Sequence, residues 1–371
     1  MKKTLAFLLG LAIATPMFAS EVAEPEANPA PQQTKVEDII AKLPVKVSGY
    51  LQTGWNWTKN DAASTSSFQA KRLRLMIDGK VTNNVSFRLQ VEAFNGIKGS
   101  TNGNGQKNLQ VMDAFATWKI KPSFQVRAGQ FYTPMGFENY DISPATLETV
   151  DFSNICYRMA CRNAIGYDFV DYGRDLGVMI LGDLLPHEDG FNQLSYNVVL
   201  SNGSLPCTDD TNNSKDLIGA LTWRPIKHLM IKAAYNWGEY SNGENAYLPM
   251  NRFIAGAWYN NPTGIDLRGE FGMIKGKKDG VTYVDEKGAY VLAGYHAGKW
   301  LPVVRWDMYK DDMKKTTTNN YNRILAGVSY EVCKNFKLQA NYNHSFYNDD
   351  VKNATGLDGA DQIQIMGLFK F

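Results

Sequence analysis

The sequence predicts an all-β protein, an antiparallel transmembrane β-barrel of about 16 strands. Three observations support this prediction. From residue 45 onwards, apolar and polar side chains alternate with the period of two that is typical of strands with one apolar face. The connections between these strands are alternately long and short. After residue 19 no apolar run of about 18 residues could form a transmembrane helix, whereas aromatic residues make up 12% of the chain, as expected for aromatic girdles at membrane interfaces.

The chain divides into three regions. Residues 1–19 are predicted to be a signal peptide, with Lys2 and Lys3 before an apolar run and Ala19 as a cleavage point, so we expect the protein to be exported. Residues 20–44 begin with the acidic, proline-rich stretch "EVAEPEANPAPQQ" and continue into a short helix, for which Thr34 and Glu37 form a capping box. This periplasmic segment could pack beneath the barrel, contact a neighbouring subunit, or be loosely attached. Residues 45–371 form the predicted barrel.

The orientation of the strands follows from their charges. In "RLRLMIDGKV", Leu73, Leu75 and Ile77 share one face, and Arg72 and Arg74 lie on the other. A shift of one residue would place the charged side chains in lipid, at about 2–4 kcal/mol for each basic residue near the midplane. We therefore expect the apolar set to face lipid and the charged set to face the lumen.

The connections predict which end of the barrel is external. Long connections such as "TKNDAASTSSFQ" alternate with short ones such as "TNN" and "KPS" along the whole chain. Outer-membrane barrels have long external loops and tight periplasmic turns. The pattern therefore predicts an outer-membrane barrel with both termini in the periplasm.

A set of ordered motifs resembles a known family. The segments "KRLRLMIDGKV", "FRLQVEAF", "DAFATWKI", "RAGQFYTPMGFE" and "GRDLGVMI" are similar, in order and spacing, to those of the phosphate-selective porin O and P family of Gram-negative outer membranes. The resemblance covers residues 45–371 and is strongest up to Asp183. It implies a sixteen-stranded porin, usually a homotrimer, that passes small solutes. Phe371 resembles the terminal aromatic residue recognised by the outer-membrane assembly machinery.

The connection from Tyr132 to Gly173, called the third loop below, is far longer than an ordinary connection, and such loops are usually functional. The resemblance implies that it folds into the lumen and narrows it. Within it, Ser143 and Pro144 are suitable first residues for a short helix through Leu147 and Val150.

Charged residues near this loop are the candidate selectivity determinants. The predicted pore-lining basic residues are Arg72, Arg74, Arg88 and Arg127. The predicted constriction residues of the third loop are Glu138, Asp141, Glu148, Asp151, Arg158 and Arg162. An arginine wall that faces an acidic loop would create a transverse field favouring polar solutes. Alternatively, the arginines pair with Glu92 and Asp113 and have only a structural role.

The transported solute stays open. A phosphate-specific pore needs Arg and Lys without competing carboxylates. The later lumen-facing candidates are Lys232, Arg268, Arg305, Arg323 and Lys337, with Asp266, Glu270 and Asp307 interleaved. The sequence therefore predicts passive diffusion of small polar or anionic solutes, and leaves open a general pore, a mild anion preference and phosphate selectivity. In an alternative function, the barrel only anchors a surface adhesin or receptor.

Other classes of function have little support. Without Lys2 and Lys3, basic and acidic residues are equal in number, which does not indicate nucleic-acid binding. The four histidines are dispersed, no G-x-S-x-G motif is present, and we expect no catalysis, cofactor or metal. Cys156 and Cys161 could form a disulfide or remain free.

Overall fold

The computed structural model describes residues 45–94, 109–161, 173–204, 206–210, 212–240, 247–277, 283–312, 316–318 and 320–371. The predicted signal peptide, residues 20–44 and Arg162 lie outside these ranges. In the described ranges, no helix combines the length and apolarity needed to cross a bilayer.

Strands account for most of the described chain. Their bounds are β1 Val45–Asn60, β2 Ser64–Lys80, β3 Val85–Glu92, β4 Gln110–Lys121, β5 Phe124–Tyr132, β6 Arg174–Pro186, β7 Asn192–Ser201, β8 Asp216–Trp223, β9 Leu229–Trp237, β10 Glu239–Tyr240, β11 Leu248–Asn260, β12 Ile265–Lys277, β13 Tyr283–Tyr295, β14 Trp300–Asp311, β15 Tyr321–Cys333, β16 Phe336–Tyr347 and β17 Gly359–Lys370.

The strands form one closed antiparallel sheet. Apart from β9 and β10, consecutive strands pair with each other, and β1 pairs with β17, with Trp55 opposite Ile365. The two-residue strand β10 continues β9, because both pair with β11. The circumference therefore contains sixteen strands, which confirms the predicted barrel.

Side chains alternate between lipid and lumen, as β8 illustrates. Leu217 and Trp223 are 44% and 50% exposed on the outer face, whereas Asp216 and Thr222 are buried inside. On β2, Arg72 and Arg74 are likewise buried on the lumen side. The predicted strand orientation is confirmed, and it keeps charged groups out of the lipid.

The first of the long connections is shorter than predicted. The segment expected as a loop from residue 58 to residue 69 extends the β1–β2 hairpin, and Thr58 pairs with Thr65 across it. Asn60 closes the turn, because its side-chain oxygen accepts hydrogen bonds from the Ala62 and Ala63 amides (3.0 and 2.8 Å). The sequence did not predict this extension, because its strand residues are polar and were interpreted as a loop.

The described part of the third loop contains two short helical pieces, α1 (Phe137–Tyr140) and a π-helical turn (Ile155–Ala160). The helix predicted from Ser143 to Val150 is wrong. Only one turn forms, where the Thr146 and Leu147 amides donate to the Ser143 carbonyl. Beyond it, the Leu147 carbonyl accepts hydrogen bonds from Lys337 and Gln339 of the barrel wall instead of continuing a helix.

Apolar side chains hold the loop inside the barrel. Met135, Ile155 and Met159 are fully buried and pack in one cluster with Ile254 and Ile274 of the inner wall. The contact is close, because a Cβ added at Gly272 would lie 2.6 Å from the Met159 sulfur. The loop therefore lies against the inner face of β11 and β12, where Ile254 and Ile274 replace the polar residues usual in a lumen.

A second helix that the sequence had not indicated, α2 (Asp349–Thr355), lies in the last external connection. Asn348 caps it by accepting a hydrogen bond from the Val351 amide (3.0 Å), and Gly356 ends it at φ 71°.

Candidate functional site

Two glutamates of the third loop share one arginine of β12. Arg268 donates two hydrogen bonds to Glu148 (3.0 and 2.8 Å) and one to Glu138 (3.2 Å). All three side chains are buried. A two-point hydrogen bond between a guanidinium and a carboxylate combines charge with fixed geometry. This cluster therefore fixes the loop to the wall at a defined position.

The ionisation of Glu148 follows from this contact. Burial acts to raise the pKa of its carboxyl, but the Arg268 charge and hydrogen bonds lower that pKa from 4.5 to about 2. Since the folded pKa lies below the ordinary value, the contact contributes its full stability above the ordinary pKa. The contribution is lost as the pH falls through about 2.

Asp151 provides the next attachment. Its carboxylate lies 2.5 Å from Lys71 Nζ and accepts a hydrogen bond from Gln364 (2.6 Å), and Arg305 donates to its carbonyl oxygen (3.0 Å). Although burial opposes it, the Lys71 ammonium holds the pKa of Asp151 far below its usual range. Lys71 reaches the lumen together with Arg72 because the β1–β2 register shifts at this point, as in a β-bulge.

Loop carbonyl groups are bound as well. Arg252 donates to the carbonyl oxygens of Met159 (3.0 Å) and Ala160 (3.1 Å) at the end of the π-helical turn. Gln339 donates to the Leu147 carbonyl (3.0 Å). These donors come from β11 and β16, on the same side of the barrel as Arg268.

We call this side the anchoring wall, and it comprises the inner faces of β9 and β11–β17 together with Lys71 and Arg72 of β2. On β9, Lys232 binds Asp141 (2.7 Å) and the Gly136 carbonyl (3.1 Å). The third loop is thus attached around more than half of the circumference and fills the adjacent part of the lumen. A cavity lies on the opposite side.

This cavity has a volume of about 950 Å³ and is called the passage below. Lumen-facing residues of β1–β5 line one side of it, and residues 140–144 of the third loop line the other. It extends from Lys46 and Lys80, at the end with short turns, inward to Arg74 and Tyr132.

The charges on the passage are unequal. Its basic lining residues are Lys46, Arg74, Lys80, Arg88 and Arg127, and its acidic ones are Asp78, Asp113 and Asp141. Asp113 is bound to Arg174 (2.7 Å), and Asp141 to Lys232. Asp78 is bound to Arg88 (2.7 Å). Each passage carboxylate therefore has a basic partner, two of them from outside the lining.

The four predicted pore-lining arginines have different environments. Arg74 pairs with Glu92 (2.8 Å), as the structural alternative had suggested, while Arg88 pairs with Asp78. Arg127 donates to the Thr117 hydroxyl (3.1 Å) and lies over the Phe115 ring, without an ion pair in the described chain. These three line the passage. The fourth lies beneath the loop.

That fourth arginine, Arg72, binds Gln52 and the Val150 carbonyl (3.3 Å), so it belongs to the anchoring wall. Asp141 is the acidic loop residue that lines the passage. The other predicted constriction carboxylates, Glu138, Glu148 and Asp151, are bound to the anchoring wall. The predicted arrangement of an acidic loop facing an arginine wall is therefore wrong for these three.

The remaining predicted residues of the loop have structural contacts or lie outside the described chain. Arg158 lies over the Tyr309 ring, with 5.8 Å to its centre. Arg162 is not described. Cys156 and Cys161 are both buried and free, so the proposed disulfide is absent. Burial raises the pKa of the Cys156 thiol.

Phe371 lies at the closing seam. Its amide donates to the Gly49 carbonyl and its carbonyl accepts from the Gly49 amide, both at 3.0 Å. Its ring covers Gly49, where an added Cβ would lie 2.4 Å from the ring. The residue thus completes the β1 pairing one position beyond β17. Its predicted role in assembly stays a prediction.

Several functional residues were missed from sequence. Arg252 lies one residue before the strand predicted from Phe253, and its lumen-facing parity could have revealed it. Lys46 has the same parity as Ser48 and Tyr50. For Lys71 no periodic signal existed, because the register shift turns it inward. In the described chain, no group of three or more His, Cys, Asp and Glu side chains could hold a metal ion.

Solved porins share this fold. An anion-selective porin from Comamonas acidovorans superposes with a TM-score of 0.66 and 15% identity, covering 88% of this chain and 99% of that one. Salmonella typhi OmpF, in complex with daunomycin, has a TM-score of 0.63 and 15% identity over 88% and 97%. A trimer form of OmpT from Vibrio cholerae has a TM-score of 0.58 and 12% identity over 88% and 99%.

The sequence comparisons agree with the fold. No curated protein matches the chain. Residues 45–166, which include β1–β5 and most of the third loop, match the family model described as "Phosphate-selective porin O and P". This match confirms the resemblance predicted from the motifs over residues 45–166. The chain therefore has the fold of these solved porins, and its residues 45–166 are similar to the phosphate-selective porin O and P family.

Proposed function

We propose that the chain lets small polar solutes and ions diffuse across the outer membrane with a preference for anions. One observation carries the proposal. The third loop directs Glu138, Glu148 and Asp151 into ion pairs with the anchoring wall, which leaves the passage with more basic than acidic groups. A low-dielectric channel lined by an excess of one charge attracts the opposite ion. The anion-selective porin from Comamonas acidovorans, which has the same fold, supports this preference.

The lining favours a general anion passage over one specific for phosphate. Specific binding of a phosphate group needs several guanidinium or ammonium donors that are not already bound by carboxylates. In the passage, Arg88 forms an ion pair with Asp78, and Arg74 forms one with Glu92. Arg127, Lys46 and Lys80 have no ion pair in the described chain, but they suit transient attraction of anions more than a dedicated site.

Assembly follows the same comparison. We propose that the protein forms a homotrimer in outer-membrane lipid, supported by the trimer form of OmpT from Vibrio cholerae, which has the same fold. The apolar outer face of strands such as β8 would contact lipid. The resemblance of Phe371 to a terminal aromatic signal supports insertion by the assembly machinery.

The test is the reversal potential of the purified protein in a planar bilayer across a KCl gradient. We expect an anion-directed potential for the natural protein and a smaller one for Arg127→Gln. Arg323→Gln is the matched control, because Arg323 is also lumen-facing but is bound to Ser345 (2.9 Å) and does not line the passage. A cation-directed potential, or an equal change in both variants, would contradict the proposal. An absence of conductance would favour the adhesin alternative.

A further inference from the structure

The outer face of the barrel carries a group of lysines at the end with long loops. The group lies on three adjacent strands, and we call it the lysine patch: Lys275 and Lys277 of β12, Lys287 of β13 and Lys310 of β14. Alternation along the strands directs these side chains outward, because Glu286 and Tyr309, which precede Lys287 and Lys310, are buried inside the barrel. Four positive charges therefore lie together on the surface that faces lipid.

The strand register brings these charges close to one another. Lys287 and Lys310 lie directly opposite each other across the β13–β14 pair. Lys275 is diagonal to Lys287, because its direct partner on β13 is Asp285, two residues earlier. Like charges that face each other across a strand pair destabilise a sheet. An anion bound between these lysines would remove that repulsion, so the register itself favours an anionic ligand.

The carboxylates beside the lysine patch leave an excess of positive charge. Asp285 lies 3.5 Å from the Lys287 ammonium, and Asp312 lies 3.5 Å from that of Lys310. A hydrogen bond between an ammonium and a carboxylate is about 2.7–2.9 Å long, so both ion pairs are loose. The side chains of Lys287 and Lys310 stay 42% and 60% exposed. Both ammonium groups are therefore accessible to a ligand from outside the barrel.

The lysine patch lies at the level of the lipid headgroups. At the end with short turns, Trp300 and Tyr330 pack with 4.3 Å between their ring centres, as in an aromatic girdle. On β14, Lys310 follows Trp300 by ten residues, which is about 34 Å along a strand and roughly 26 Å across the membrane at a tilt of about 40°. Because the apolar band of such barrels is about 25 Å tall, Lys310 lies at its outer boundary.

Apolar residues continue from the lysine patch towards the middle of the membrane. Phe271 of β12 and Trp306 of β14 are 39% and 41% exposed on the outer face. Between them, Ala289 follows Lys287 on the same face of β13 and lies opposite both Phe271 and Met308. A small side chain between two large ones forms a shallow depression directly below the lysines. The surface thus fits a molecule with an anionic group above and a hydrocarbon chain below.

We propose that the lysine patch binds the phosphate headgroup of a lipid of the outer leaflet, whose acyl chain lies along the depression at Ala289. Lysine binds phosphate as a flexible point charge, which suits a headgroup that is itself mobile. The occupant is a membrane lipid because the lysines lie at headgroup level above a hydrocarbon surface. The inference goes beyond the proposed function, since the site lies outside the lumen and needs no particular solute preference.

The experiment measures tryptophan quenching by lipids with brominated acyl chains. The full-length protein in phosphatidylcholine vesicles is titrated with brominated phosphatidic acid, which carries a phosphate monoester, or with brominated phosphatidylcholine. Trp306 lies four residues below Lys310 and reports a chain bound there. We expect quenching at a lower fraction of phosphatidic acid than of phosphatidylcholine, and a loss of this difference in Trp306→Phe. In K287Q/K310Q the preference for phosphatidic acid should fall roughly fivefold for each lysine removed.

Matched variants separate a defined site from general attraction to an anionic surface. Lys59→Gln removes an exposed lysine at the same end of the barrel, on β1, and should leave the preference unchanged. K287R/K310R keeps both charges and should retain the preference. D285N/D312N removes the competing carboxylates and should strengthen it. An equal loss in Lys59→Gln and K287Q/K310Q would overturn the inference.

The other outcomes are also decisive. No preference for phosphatidic acid in the natural protein would overturn the inference. A changed oligomeric state of K287Q/K310Q with unchanged quenching would assign this face to contacts between copies of the chain, and would likewise overturn it. We expect natural conductance in K287Q/K310Q, because the lysine patch lies outside the lumen. If this variant does not fold, D285N/D312N decides, and no gain in its preference would contradict the site. Absence of conductance in the natural protein contradicts the porin function and leaves the quenching result to decide this inference.

Discussion

Replacement of Arg268 by methionine tests whether ion pairs hold the third loop in place. Arg268 is fully buried and is the residue that binds both Glu138 and Glu148. The substitution keeps an unbranched apolar stem and removes the guanidinium group with its charge and donors. We expect the part of the loop around Glu138 and Glu148 to detach from the anchoring wall more often, because Glu148 is then left ionised and buried without its guanidinium partner.

The expected magnitude follows from these contacts. Removing one partner of a buried, hydrogen-bonded ion pair costs about 3–5 kcal/mol. Arg305 remains 3.9 Å from Glu138, so one of the two carboxylates keeps a weaker partner and the lower value applies. Because each 1.4 kcal/mol corresponds to a factor of ten, about 3 kcal/mol raises the ratio of detached to attached loop roughly 10²-fold.

The assay is single-channel recording combined with limited proteolysis. In the Arg268→Met channel we expect a larger mean conductance, frequent transitions between levels and faster cleavage within the third loop. The matched control is the triple variant E138Q/E148Q/R268M, in which no charge is left unpaired, and we expect the natural levels to return at least in part. Steady conductance at the natural level in Arg268→Met would refute the claim that this arginine holds the loop.

Three further predictions use other parts of the structure. Gly129 has φ 120°, and an added Cβ would lie 2.2 Å from the Ala114 carbonyl oxygen. Gly129→Val should therefore lower the unfolding temperature of the barrel, measured in a heat-modifiability gel. Gly219→Ala, at a position with open space, should leave that temperature unchanged. Val198→Arg on the outer face should destabilise the barrel by about 2–4 kcal/mol if the site lies near the midplane, measured by urea unfolding in lipid vesicles. Because the pKa of Glu148 is about 2, its ion pair with Arg268 should persist in acid, and channel recordings between pH 7 and pH 4 should show no loop detachment. Detachment near pH 5 would contradict the low pKa of Glu148.

The fold was predictable because the two faces of each strand differ in polarity, and the sequence shows this alternation. Residues such as Arg72 and Leu73 could occupy their faces in only one register without exposing charge to lipid. The sequence was less informative at strand ends. Thr58 and Thr65 were assigned to a loop from their polarity, but outside the hydrocarbon a strand can be polar on both faces, so composition does not mark where it ends.

The site was harder to predict because its geometry depends on distant parts of the chain. Sequence identified Glu148 as a loop carboxylate and Arg268 as a lumen-facing base, yet 120 residues separate them and no local pattern pairs them. The same reason explains the incorrect helix after Ser143, whose local signals were good but whose carbonyl groups had stronger partners on β16. The sign of each charge was predictable from the sequence, but the partner in each ion pair was not.

The contacts between the third loop and the anchoring wall limit the order in which the parts of the barrel can fold. The passage is lined by β1–β5, which are synthesised first. Apart from Lys71 and Arg72, the residues that attach the third loop follow it by about one hundred to two hundred positions, such as Gln339 for Leu147. Contacts between residues so far apart form slowly, because closing a long segment of chain has a large entropic cost. The channel therefore acquires its final cross-section only after β11–β16 are in place. A barrel arrested before that stage would have a lumen without its constriction. The late strands therefore determine when the pore becomes narrow, more than the residues that line the passage do.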